Sequence, residues 1–191
     1  MKKTTISALL VAGLLGTIPA AQAEHELFTG DVRLACEAVL CLSSGSRPSE
    51  CSPSLDRYFS IKKRKMSDTL KARRNFLNMC PSANYDDNMR SLVNAITNGA
   101  GRCDAAALNA SLMVWRWDDR YSIIRNTLPS YCNAYSNHQY TDIQGVVARY
   151  VGTPERGGFW VDPANYESAL QQYNERIAKE DERRRYGYRN N

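Results

Sequence analysis

Six cysteines carry most of the chemistry legible in this chain: Cys36, Cys41, Cys51, Cys80, Cys103 and Cys132. Thiols can cross-link, hold a metal or run disulfide exchange. Metal binding and thiol catalysis favour closely spaced pairs, Cys-x-x-Cys above all, and no such pair occurs here. The two histidines, His25 and His138, are isolated in the sequence and complete no ligand set. The cysteines are therefore expected as structural disulfides, with no metal and no cofactor. Six cysteines can pair in many ways, and loop closure gives a preference among them. Cys41 and Cys51 flank the Ser/Gly/Pro-rich stretch Ser43–Pro48, Cys36 lies more than a turn earlier and could reach Cys80, and Cys103 with Cys132 would close the second half.

Carboxylates and aromatics come next. Glu37 lies between two cysteines of an apolar helical segment, the position of a general acid of the glycosidase type; its ordinary explanation is a solvated helix residue. Asp86 and Asp87 form a pair, but acids at a helix start complement the helix dipole. Trp115 and Trp117 can stack on a sugar or a peptide, and can equally anchor a core.

The densest positive charge is Lys62-Lys63-Arg64-Lys65, followed by Lys71, Arg73 and Arg74. It suits anionic lipid heads, peptidoglycan carboxylates, an acidic protein face or a nucleic-acid strand. Aromatics do not interleave the run, which disfavours nucleic acid. Met66, Leu70 and Leu77 form a separate apolar stripe, so a solvated helix face accounts for the charge as well.

The elements that must position these residues are mostly helical. Lys2 and Lys3, the apolar run Ile6–Ile18 and Ala21-Gln22-Ala23 read as a secretory signal peptide over residues 1–23, cleaved after Ala23; export to the periplasm and an oxidising setting follow as expectations. The formal charge of +5 shrinks once Lys2 and Lys3 are removed, so overall charge selects no partner. Residues 24–178 are expected as a single helical domain and 179–191 as a charged, mobile tail.

Asp31 is placed to cap a helix to about Leu42, burying Val32, Ala35, Cys36, Val39 and Leu40. Ser52-Pro53 opens a short helix through Ile61, and a third carries Met66 to Leu77. Ser82 or Asn84 caps the next, with Tyr85, Met89, Leu92, Val93 and Ile96 on one face. Asp104 caps an alanine-rich helix expected to be buried on most sides and to continue past Trp115 to Ile124. Tyr131–Tyr140 reads as a tethered loop. Strand character follows: 146–151 and 158–161 flank Pro154-Glu155-Arg156-Gly157 as a β-hairpin. Asp162-Pro163 starts a last helix with Tyr166, Leu170, Tyr173 and Ile177. The expected class is mainly α: a compact, disulfide-stapled helical domain with one small β-hairpin near the C-terminal third.

LACEAVLCLSSGSRPSEC, the following SPSLDRYFSI, NFLNMCP, YVGTPERGGFWVD and the tyrosine-bearing last helix together resemble the TrbM family of conjugal transfer proteins, to which KikA-type proteins are similar. The resemblance spans nearly all of residues 24–191 and rests on cysteine spacing as well as loop sequence. It implies an exported accessory factor of plasmid conjugation, acting among mating-pair-formation and type IV secretion proteins, with no established enzymatic activity. It carries over the six cysteines as structural positions and Pro154, Glu155, Arg156, Gly157 and Gly158 as a surface motif for protein recognition, which a hairpin turn needing its glycines would explain equally well. Conjugation proteins are the expected partners, with peptidoglycan or a membrane surface as further contacts. The rival reading is a lytic-transglycosylase-like enzyme using Glu37, although no compelling carboxylate constellation accompanies it.

Overall fold

A computed structural model describes residues 29–116 and 121–189; the signal-peptide reading, Trp117 and the chain end lie outside them. The chain is mainly α, as expected. Helices α1 (Gly30–Ser43), α2 (Ser52–Ser60), α3 (Met66–Leu77) and α4 (Asp87–Gly99) form the first half. Then come α5 (Ala105–Ser111), strands β1 (Met113–Arg116) and β2 (Tyr121–Ile124), α6 (Ser130–Ser136), strands β3 (Arg149–Val151) and β4 (Phe159–Val161), and α7 (Tyr166–Arg189).

The main core packs α1, α2, α3 and α4 around Leu42, Tyr58, Leu77 and Ile96, each without exposed surface. Burial of each such side chain contributes roughly 1.5–3 kcal/mol. Helix α1 turns Ala35, Ala38, Val39 and Leu42 inward. Leu40 was expected on that face but is 71% exposed, because the buried stripe follows the 35–38–39–42 spacing and leaves position 40 on the far side. Asp31 is not the cap either. It lies inside the first turn and accepts from Nη2 and Nε of Arg57 at 2.7 and 3.0 Å.

All three expected disulfides are present: Cys36–Cys80, Cys41–Cys51 and Cys103–Cys132. The first two tie α1 to the segment after α3 and to the turn before α2. The third joins the turn between α4 and α5 to α6. There α4 and α6 touch so closely that a Cβ on Gly99 would lie 2.4 Å from the Tyr135 ring, and the Tyr135 hydroxyl donates to the Leu42 carbonyl. Burial pushes the Tyr135 phenol up to about 12, so it remains a neutral donor.

Several local expectations change. Asp86, not Asn84 or Ser82, caps α4 by accepting from the Met89 amide at 2.7 Å; a tight 3-10 turn at Pro81–Asn84 precedes it and leaves Tyr85 exposed. Asp104 caps α5 as anticipated, yet only Leu108 of that helix is buried. The helix stops at Ser111 instead of continuing to Ile124. Val114 pairs with Ile123 and Trp115 with Ser122 in a second antiparallel hairpin, since β-branched and aromatic residues here gain cross-strand partners that a helix would deny them. The polar 131–140 segment contains α6, anchored by the buried Cys132 and Tyr135.

The expected hairpin β3–β4 pairs Arg149 with Val161 and Val151 with Phe159. It is held to the rest of the chain by polar contacts as well as packing. Asn109 of α5 accepts from the Trp160 amide and donates to its carbonyl, both at 2.8 Å. The Trp160 indole donates to Arg125, and Tyr150 donates to Ile124. The C-terminal helix begins after a turn at Pro163–Asn165 and lays Tyr166, Leu170, Tyr173 and Ile177 against this hairpin.

Candidate interaction surface

The basic run is not on a helix. It forms the connector between α2 and α3, and its shape is set by two neighbours. Thr69 receives the Lys63 amide on its hydroxyl at 2.9 Å, while its own amide donates to the Lys65 carbonyl. Arg73, grouped with the surface cations by sequence, is 7% exposed. Its guanidinium lies over Tyr58 and Phe59 at 4.8 and 5.3 Å, and its Nε donates to the Ile61 carbonyl. A planar, weakly hydrated cation is suited to such stacking. Arg73 thus works inward to brace the connector.

Lys62, Lys63, Arg64 and Lys65 all point to solvent, as do Lys71 and Arg74. Among the described residues, none of these six forms a salt bridge. The connector also runs between two depressions. One, about 420 Å³, includes Lys62, Lys63, Ile61, Phe76 and Met79. The other, about 430 Å³, starts at Met66 and reaches α5 and α6. The first is lined largely by polar groups and the second mainly by apolar ones; unpaired cations beside the second can recognise an anionic partner that also has something apolar to bury.

The 154–158 motif is arranged in the opposite way. Pro154–Arg156 make a 3-10 turn closed by Gly157 at φ +70°, a conformation that favours glycine. A Cβ on Gly158 would strike Tyr150 and the Val151 carbonyl at 2.7 Å. Arg156 turns back onto α7, donating to Asp181 at 2.6 and 3.2 Å, with Glu180 at 3.6 Å. Arg176 donates to the Arg156 carbonyl and to Glu180, both at 2.8 Å, and the Tyr173 hydroxyl accepts from the Thr153 amide. These hydrogen bonds hold the Asp181 and Glu180 carboxyls below their ordinary range, Arg156 acting first on Asp181 and Arg176 first on Glu180. The loop is a clamp on the last helix, and its arginine is ion-paired within the chain through both Nη atoms, while its buried Nε has no hydrogen-bond partner among the described residues; Glu155 is left facing solvent. The stretch read as a mobile tail is accordingly helical through Arg189.

The remaining candidates sit apart from both surfaces. Glu37 accepts from Arg33 one turn earlier at 2.7 Å, with its side chain 32% exposed, a solvent-facing ion pair instead of an apolar enclosure for a general acid. Asp87 pairs with Arg90. Trp115 is half exposed on β1. Sequence reasoning missed the second hollow, although one signal for it was present: the uncharged helix AAALNAS holds a single large apolar residue, too little to seal both its sides.

A model of the TrbM family matches residues 27–174. No curated protein and no solved structure matches the chain.

Proposed function

The chain belongs to the TrbM family of conjugal transfer proteins, and on that premise we propose that it is a periplasmic, non-enzymatic accessory or assembly factor of plasmid conjugation. It acts through protein–protein contacts during mating-pair formation and type IV secretion, with the Lys62–Lys65 connector as its docking face. The observation that carries this reading is the braced connector itself: four cations held in place by Thr69 and Arg73 and left without a carboxylate partner among the described residues. Holding like charges together on one segment is unfavourable unless something else uses them. Three disulfides and no free cysteine support an oxidising compartment, and the amino-terminal Lys2–Ala23 pattern supports export.

In-cell photocrosslinking tests the assignment. A crosslinker placed singly at positions 62–65 should trap a component of the transfer apparatus, and one at position 156 should not. Adducts from 154–158 alone would move the docking face to the hairpin; none from either stretch would remove the reading.

A further inference from the structure

We propose that the connector and the hollow beginning at Met66 bind an acidic peptide segment bearing one apolar anchor side chain, supplied by a partner protein. This deepens the docking role assigned above and rests on it. The hollow is lined by Met66 of α3, Arg102, Ala107 and Ala110 of α5, and Tyr131 of α6. Among the described residues that line it there is no carboxylate, and Arg102 is its one ionic group. Met66 is 56% exposed and follows directly on Lys65, so the hollow begins where the run of unpaired cations ends. Its floor is small and aliphatic because α5 presents alanines there. Cation and apolar surface are thus contiguous, the complement of an acidic strand with a single hydrophobic side chain.

The shape selects a peptide over the other anionic partners. A flat lipid surface would reach the lysines but leave a concave apolar floor unfilled, whereas membrane-binding faces project their apolar residues outward. Single-stranded nucleic acid would need an exposed aromatic face for its bases. The one aromatic ring here, Tyr131, is covered by the Arg102 guanidinium at 3.9 Å.

The probe is a fluorescent peptide of glutamates around a central phenylalanine, titrated against the oxidised protein and followed by anisotropy. Saturable binding is expected. Ala110→Glu, at an exposed helix position, should weaken it about tenfold or more, as should replacing the peptide's phenylalanine by serine. The two changes together should cost little beyond either alone, the mark of a direct contact. Neutralising Lys62–Lys65 to glutamine should weaken binding and flatten its salt dependence. Absent binding, or binding indifferent to both Ala110→Glu and the serine exchange, overturns the proposal. So does preferential binding of phosphatidylglycerol vesicles or single-stranded DNA that Ala110→Glu leaves intact. Those results would spare the docking role if crosslinks from positions 62–65 persist, and loss of the crosslinks would remove that role whatever the peptide does.

Discussion

The connector between α2 and α3 and the hairpin loop between β3 and β4 are both short and charged, yet one leaves its cations bare and the other neutralises them. Beside the connector Arg73 is buried, held by two aromatic rings and a carbonyl, and Arg57 pairs with Asp31, while the four connector cations stay exposed. At the hairpin, Arg156 and Arg176 meet Asp181 and Glu180 from a helix that returns alongside. The difference lies in what arrives from elsewhere in the chain. An aromatic neighbour braces a charge without cancelling it, and a carboxylate cancels it. Charge density read along a sequence therefore says little about charge available to a partner.

The two regions also differ in how they are secured, and the strongest test breaks that difference outright. The stapled half depends on covalent closure: replacing Cys36 and Cys80 together by alanine opens a loop with a sequence separation of 44 and should cost about 4 kcal/mol. Urea unfolding should show the loss, and an unchanged midpoint would mean that the core holds α1 to α3 without the bridge. Next comes the contrast between neighbouring cations. Arg73→Ala should destabilise by about 2–3 kcal/mol through lost stacking and packing, whereas glutamines at 62–65 should leave stability within about 0.5 kcal/mol. Equal effects in thermal melts would erase the distinction between brace and docking face.

The clamp is smaller in scope. Arg156→Ala should lower hydrogen-exchange protection in the distal half of α7 while α1–α4 keep theirs. Acidification should imitate it, with a defined sign. The folded Asp181 and Glu180 carboxyls lie below their ordinary values of 3.8 and 4.5. Their contribution is thus fully present above those values and is lost as pH falls through the depressed range. Loosening of α7 should begin below about pH 4 and be smaller in Arg156→Ala, which has already lost the Asp181 pairing and keeps only Arg176 on Glu180. The smallest effect is expected at Glu37: Glu37→Gln removes an exposed i,i+4 pair with Arg33 and should change stability by about 0.5 kcal/mol or less. Muropeptide release from peptidoglycan by the native protein, abolished by this variant, would instead establish it as an enzyme and overturn the docking reading.

Periodic segments with strong caps were legible along the chain: the positions of α1 to α4, Asp104 as the start of α5, and the β3–β4 turn with its proline and glycines. The disulfide pairing was reachable because a short flexible loop between Cys41 and Cys51 makes that closure entropically cheap. Misreadings fell where local preference was weak. Met113–Arg116 and Tyr121–Ile124 are compatible with helix or strand, and cross-strand pairing of Val114 with Ile123 chose strand. Residues 130–136 are polar, and burial of Cys132 and Tyr135 against α4 makes them helical.

The sequence by itself thus determined what depends on neighbours along the chain: a mainly helical, disulfide-bonded domain, its family, and the existence of two charged stretches. Tertiary structure alone decided which charges remain available, because Arg73 and Tyr58 are separated by fifteen positions and Arg156 and Asp181 by twenty-five. No local pattern encodes such meetings. They arise when packing of apolar faces brings distant side chains within reach, and the surface left for a partner is what that packing does not consume.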